Sequence, residues 1–419
     1  MASTLLLCAL IGLASSTVYL GMTTIAARRF RRRRHVSGAS SDTGLPAVSV
    51  LKPVHGDEPN LSASLESFFR QRYDRYELVF GARSADDPAL AVIEGLRCRY
   101  PQVPTRIVLA GSPVYPNAKV STLEPMIQAA AHRYLLIADS DTRVTPECVR
   151  DVTAPLSDLR VGLVTCLYRG IPIGGLSSTL EALGMSVELP SGVLVAEMLE
   201  GMRFALGPTM ATRKDVLDKI GGIGALGDYC ADDYVLGRLI WQSGHRVVLS
   251  SHVVEHMIVN RRWRASLQHQ LRWMRTTRFS RPLGHLGTGL TFAMPFGALA
   301  AAAAMLADHT SLGFGLLAWA YGSRVIQSVV VGFGALGDRE SLSYCWLYPL
   351  RDLIGFVLWI LSFTGRRIVW RGERYELLRG GLMRSESAAG VSPSISISRA
   401  HGHIPAEASA RAVSARASE

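Results

Sequence analysis

Residues 4–26 (TLLLCALIGLASSTVYLGMTTIA) carry no acidic or basic side chain, and Arg28, Arg29 and the run Arg31 to Arg34 follow directly. As a helix this stretch reaches about 34 Å, enough to cross roughly 30 Å of hydrocarbon. A single segment in lipid can satisfy its backbone only as a helix, so a chain holding such a stretch is tied to a membrane before any domain is considered. A cleaved signal peptide is the competing reading. It would carry basic residues in front, a shorter apolar core and a small-residue cleavage site, whereas here the positive charge follows the span. Residues 1–27 therefore read as an N-terminal transmembrane anchor. The positive-inside rule keeps the arginines cytoplasmic and starts everything after about residue 27 on that side. With 48% hydrophobic and 19% charged residues, most of the chain is not disordered, and a net charge of +11 gathered in local runs argues against a freely soluble nucleic-acid binder. Cysteines 8, 98, 148, 166, 230 and 345 form no CxxC pair and no metal-ligand spacing, so reduced thiols are expected, with Cys98, Cys148 and Cys166 in the core.

After a Gly/Ser linker (37–45) the pattern becomes β-branched runs alternating with helical periodicity, an α/β signature. Strands are expected at 48–54, 76–82, 105–110, 134–140 and 161–168, and helices near 61–71, 88–99, 118–131 and 146–156. A mostly parallel sheet with right-handed crossovers follows, and ligands in such sheets sit beyond the carboxyl ends of the strands. Chemistry-bearing residues gather there. One apolar run leads into Arg83-Ser84-Ala85-Asp86-Asp87-Pro88, and another delivers Asp139-Ser140-Asp141. Two carboxylates at i and i+2 can share a divalent cation with a diphosphate, although aspartates at strand ends are also ordinary turn formers and caps. Asp232-Asp233-Tyr234 follows a glycine-rich run and opens a helical stretch, where a carboxylate can serve as a cap alone. Lys52 and Lys119 stand where a nucleotide or its phosphates could be met, but also where lysines are commonplace. His245, His252 and His256 read as structural.

Residues 261–281 hold seven arginines with Trp263, Trp273 and Phe279 interleaved, and Trp263, Leu267, Leu271 and Met274 recur at helical spacing. This reads as an amphipathic segment, 261–285, lying on a membrane surface with guanidiniums facing phosphate. Apolar spans are expected near 288–307, 311–336 and 346–364 within a C-terminal transmembrane region, 286–365, interrupted by Arg324, Arg351 and Asp352. Three full crossings would carry the basic stretch RRIVWRGERYELLRGG (366–381) outside, against the positive-inside rule, so one of them is expected to be re-entrant or interfacial. The Ser/Ala-rich tail, 384–419, is expected to be disordered.

In order, LKPVHGDEPNL (51–61), LESFFRQRYDRYEL (65–78), DDPA (86–89), NAK (117–119), ADSD (138–141), GLVTCLYRG (162–170), RKDVLDKIGG (213–222), ADDY (231–234) and LRW (271–273) resemble the ceramide glucosyltransferase family and the related bacterial hopanoid-associated glycosyltransferases. The resemblance covers roughly residues 46–285. It implies a GT-A type nucleotide-sugar domain (46–260), cytoplasmic at a bacterial inner membrane. Such a domain would transfer one hexose from a UDP-sugar to a membrane lipid hydroxyl with inversion: glucose from UDP-glucose to ceramide, or alternatively N-acetylglucosamine from UDP-GlcNAc to a hopanoid. Carried over by motif, Asp87 contributes to the nucleotide pocket, Asp139 meets the metal and diphosphate, and Asp233 is the general base. Arg272 and Trp273 end the (Q/R)xxRW signature that holds the donor diphosphate, with His269 standing at its first position. Asp141 completes a DxD for Mg²⁺ or Mn²⁺. Single displacement of UDP needs a base for the lipid hydroxyl and a cation for the leaving diphosphate, and these residues supply both. A non-catalytic membrane adaptor is the reading from another class. Three acidic clusters at strand exits would oppose its anionic partners.

Overall fold

In the computed structural model, residues 2–36, 45–259, 262–370 and 372–386 are described. The apolar stretch and the arginine run form one 35-residue helix, Ala2–Val36. Two of its hydroxyls are satisfied within the helix, as Thr17 and Thr24 each donate back to the carbonyl four residues earlier, at 2.8 Å. Beyond the apolar part the helix docks by charge: Arg33 grips Glu197 with its two terminal guanidinium nitrogens at 2.6 and 2.7 Å, and Arg34 donates to the Ala335 carbonyl.

Eight strands form the main sheet: β1 Val48–Pro53, β2 Tyr76–Ala82, β3 Thr105–Leu109, β4 Tyr134–Ala138, β5 Thr142–Arg143, β6 Val161–Pro172, β7 Thr209–Arg213 and β8 Arg246–Ile258, in the order β3-β2-β1-β4-β7-β6-β8-β5. The β1, β2, β3 and β4 neighbours are parallel, as are β6 and β8; β7 runs antiparallel to both β4 and β6, and β5 to β8. Every residue of β1 and β2 is buried, as expected of strands covered on both faces. Helices Leu61–Phe69, Ala89–Arg99 and Ala118–Ala129 fall where their periodicity placed them. At Gly81 a Cβ would stand 2.2 Å from Met126 Sδ, so a glycine there lets Ala118–Ala129 lie close on β2.

The sequence reading passed over β5, β7 and β8, and also a 25-residue apolar rod between β6 and β7. This rod runs as an α-helix Leu176–Leu183, a π turn Gly184–Glu188 and an α-helix Leu189–Glu200. Among the described residues four helices are long and apolar enough to cross a membrane: Ala2–Arg34, Leu176–Glu200, Thr310–Ala335 and Cys345–Ser362. The first expected C-terminal span shrinks to Met294–Met305, 12 residues, about 18 Å as a helix and too short to cross. The charges that interrupt the spans meet one another. Arg324 lies 3.4 Å from Asp352, Asp352 Oδ2 accepts from the Ala293 and Met294 amides that open Met294–Met305, and Arg351 reaches Glu188 on the rod at 2.8 Å.

The basic stretch after the last span folds into a second, antiparallel sheet of three strands, β9 Arg367–Trp370, β10 Glu373–Leu377 and β11 Met383–Ser385. Its inner side chains, Ile368, Tyr375, Leu377 and Met383, close over Cys230. The tail expected to be disordered from 384 therefore begins inside a strand; its remainder past 386, like linker residues 37–44, lies outside the described residues.

Candidate active site

The carboxyl ends of β1, β2 and β4 and the start of helix Asp232–Gln242 bring most of the foreseen residues together. Asn117 organises the centre. As the N-cap of Ala118–Ala129 its side-chain oxygen accepts from the Lys119 and Val120 amides at 3.0 and 3.2 Å, and its Nδ2 donates to the Tyr229 carbonyl and to Asp232 Oδ1 at 3.3 Å. Lys119, held by that cap, stands 2.6 Å from Asp139 Oδ1 and 3.8 Å from Asp232 Oδ2. Burial alone would lower its ammonium pKa, but Asp139 and Asp232 outweigh burial and hold it above the ordinary lysine range. Lys119 thus joins two of the acidic clusters.

Asp233 is held by backbone amides. Its Oδ2 accepts from the Gly207 amide and its Oδ1 from the Tyr234 amide, each at 2.7 Å. A Cβ on Gly207 would stand 3.1 Å from Oδ2, so a glycine permits this approach. Burial pushes the Asp233 carboxyl up to about 6, and the neighbouring Asp232 charge adds to it; Lys119 and the two amides pull the other way. Each oxygen keeps a second acceptor position for an incoming proton. The next residue in the same loop, Pro208, accepts from the Asp139 amide at 3.2 Å, so one short segment ties the strand end bearing Asp139 to the helix start bearing Asp233.

Asp87 is turned inward. Its carboxylate accepts from the Gly56 amide at 3.0 Å and the Ala89 amide at 3.0 Å, with His55 Nδ1 3.5 Å away, and so ties the β1 exit to the β2 exit. Lys52, which the sequence set near the nucleotide or its phosphates, lies inside the domain. It is fully buried, its Nζ donates to the Asp139 carbonyl at 2.6 Å, and the same Nζ lies 3.7 Å from the Phe68 ring centre. Burial brings its pKa down to about 7 against the opposing pull of Asp139 and Asp141. It braces the Asp139 loop from beneath.

Asp141 Oδ1 is buried without a hydrogen-bond partner, 3.4 Å from His256 Nδ1, which is likewise orphaned. A carboxylate oxygen left this way beside the half-exposed Asp139 fits a hard cation that takes its remaining ligands from a diphosphate and water. No cluster of three or more metal-ligating side chains occurs among the described residues, so the protein alone offers an incomplete shell. Tyr168, unforeseen, is buried close to Asp233, Asp139 and Asp141, its ring tilted by 48° against that of His256 at 5.8 Å; burial and those carboxylates hold its phenol protonated.

The amphipathic stretch is a helix, Trp263–Ser280. Its His269 and Trp273 rings lie 4.6 Å apart, Trp273 packs on the main core, and Arg272 stands over Trp370 of β9 with its charge felt by Cys230. The C-terminal sheet completes this side. The Cys230 amide donates to the Gly381 carbonyl at 3.0 Å and the Met383 amide to the Asp228 carbonyl at 2.8 Å, only a few residues ahead of Asp232. Asn117, Gly207, Tyr168 and the C-terminal sheet were not singled out from sequence as parts of a site. Only Asn117 carried a signal, a capping residue ahead of a helical run.

The model of glycosyl transferase family 21 matches residues 5–383. Among curated proteins the chain is 26% identical over 380 residues to ceramide glucosyltransferase 1 of Caenorhabditis elegans, covering 85% of this chain and 78% of that one. It is 30% identical over 229 residues to ceramide glucosyltransferase 3 of the same organism, covering 54% and 50%. Among solved structures, the mannosyltransferase PcManGT from Pyrobaculum calidifontis, in complex with GDP-Man and Mn²⁺, superposes with a TM-score of 0.51 at 17% identity, covering 83% of this chain and 98% of that one.

Proposed function

The chain belongs to glycosyl transferase family 21, and from that premise we propose that it moves one hexose from a UDP-sugar to the hydroxyl of a membrane lipid, with UDP-glucose and ceramide as donor and acceptor. The carrying observation is Asp233: a carboxylate raised to about 6, held by two backbone amides beside the acidic clusters gathered round Lys119. At neutral pH it is ionised yet basic enough to take a proton, as a general base requires. The names of the relatives support ceramide and glucose.

In this reading the acceptor hydroxyl approaches Asp233, which removes its proton as the oxygen attacks the anomeric carbon from the face opposite UDP. One displacement inverts that carbon. Asp139 and Asp141 would hold Mg²⁺ or Mn²⁺, which supplies charge neutralisation to the leaving diphosphate. Arg272, steadied by Trp370, offers a guanidinium to the same phosphates. Lys119 and Lys52 keep the carboxylates in place, and Asp87 pins the nucleotide edge.

Pairing within the fold supports a membrane arrangement. β6 and β7 hydrogen-bond to each other, so both ends of the rod Leu176–Glu200 lie on one side and the rod makes no single crossing. Arg275 and Arg278 of helix Trp263–Ser280 donate to the carbonyls of Thr364, Ser362 and Arg367, so the chain returns to the side it left. Thr310–Ala335 and Cys345–Ser362 then cross as a pair, Met294–Met305 stays re-entrant, and the catalytic domain is cytoplasmic.

Titration calorimetry of the detergent-purified protein tests the donor. UDP-glucose should bind with micromolar affinity while GDP-mannose does not; equal binding of both, or of neither, would overturn the UDP-sugar assignment.

A further inference from the structure

The apolar rod ends at Glu200, and the chain that leaves it runs back along helix Asp232–Gln242 toward that helix's start. Arg203 stands 4.7 Å over the Trp241 ring near the helix's far end. Phe204 and Ala205 press so closely on its middle that a Cβ at Gly237 would meet their backbone at 2.4 Å, and the Gly207 amide holds Asp233 at 2.7 Å. One short loop therefore leads from the end of the rod to the proposed base. Along it the Phe204 and Tyr234 rings stack at 6.1 Å, and Asp233 itself is only partly buried.

The far end of this loop has the chemistry of a lipid–water boundary. Glu200 pairs with Arg281, whose guanidinium also lies 5.8 Å over the Phe204 ring, so one arginine joins the rod, the loop and the start of helix Pro282–Thr288. Half-exposed ion pairs and a tryptophan under an arginine belong at headgroup level. Within two residues of the Arg281–Glu200 pair stand leucines with little protein over them: Leu199 is 67% exposed and Leu283 84%, while Leu286, 57% exposed, shares a helix face with Leu283. In a chain anchored by transmembrane helices such side chains meet acyl chains. A lipid resting on them has its polar end beside Arg281 and Glu200, and between that pair and Asp233 lie two aromatic rings that suit an alkyl stem.

We infer that this strip is the acceptor subsite: the acceptor's chains lie on Leu199, Leu283 and Leu286, and its hydroxyl-bearing end reaches Asp233 over the Phe204 and Tyr234 rings. This rests on the reading above of Asp233 as base and ceramide as acceptor.

A ceramide with a photoactivatable diazirine in its acyl chain, added to the detergent-purified full chain, tests the placement. Irradiation should attach it within 199–204 and 281–290, and excess unlabelled ceramide should suppress these adducts where excess phosphatidylcholine does not. Adducts elsewhere would overturn the subsite, as would equal suppression by both lipids, since the leucines would then take any lipid. Kinetics supply the second arm. The double variant Leu283→Gln, Leu286→Gln, at exposed positions that the fold does not need, should raise the KM for ceramide about tenfold, the worth of one well-buried apolar contact, with UDP affinity by calorimetry unchanged. Phe204→Leu, which keeps bulk and loses the ring stack, should also raise that KM and spare UDP. Unchanged KM in both variants, or UDP affinity falling in step with it, would overturn the inference. Wild type that binds UDP but glucosylates no ceramide would instead overturn the acceptor reading, and with it the occupant named here.

Discussion

In the proposed mechanism Asp233 concentrates the chemistry in one side chain. Asp233→Asn keeps the shape but only one of the two amide contacts, its NH2 facing the other N–H, and takes no proton, so turnover should fall by at least roughly 10²-fold. Because the carboxyl is raised to about 6 and acts as the ionised form, wild-type turnover should climb as pH rises through about 6 and level off above it. A pH–rate profile checks both, since the Asn variant should lose that limb. Asp139 and Asp141 set a second expectation: chelation with EDTA should abolish turnover and Mg²⁺ or Mn²⁺ should restore it, as assayed by UDP release. These aspartates were legible in sequence because a carboxylate straight after an apolar run stands at a sheet's ligand-binding edge whatever the fold's details. The lysines were not. Lys52 and Lys119 look alike in the sequence, and only burial, with an Asp139 carbonyl over one and two carboxylates round the other, separates a brace from a clamp.

Elements differed in how plainly they announced themselves. β1, β2 and β4 are short apolar runs that the sequence delimits to within a few residues. β8 was missed because Ser250, Ser251, His252, Glu255 and His256 interrupt its apolar residues, although alternate positions are buried once it pairs with β6. The rod Leu176–Glu200 was missed because Pro190 and its glycines read as breakers, yet a π turn carries the helix through them. Those glycines have work in packing. At Gly184 a Cβ would lie 2.5 Å from Arg351 Nε, in the slot where that arginine crosses to Glu188. Gly184→Ala should therefore lower stability by about 1–3 kcal/mol, seen as a lower thermal midpoint in detergent with donor affinity unchanged. An unchanged midpoint would show that the slot has room to spare.

Across the molecule, the fold couples a nucleotide-sugar domain to helices that border lipid, and the C-terminal sheet seals the two together at Cys230. That sheet was invisible to charge counting, which saw only a basic stretch whose side of the membrane was awkward. Its hydrogen bonds to Asp228 and Cys230 place it with the catalytic domain. Single cysteines introduced at Gly372 in a background without exposed thiols should resist membrane-impermeant maleimide in intact cells and label after permeabilisation; labelling before it would mean an odd number of crossings after residue 282. The helices beside the site also bear on product length. Ala, Gly, Leu and Val dominate Met294–Met305 and Thr310–Ala335, and such helices offer few polar side chains to line a path for a growing saccharide, whereas a lipid can enter and leave sideways. The direct measurement is mass spectrometry, with assignment of the anomeric linkage, of lipid products formed by purified protein given ceramide and excess UDP-glucose. The expected result is one glucose per ceramide with the donor's anomeric configuration inverted; a ladder of longer saccharides, a retained configuration, or no glucosylated ceramide would contradict it.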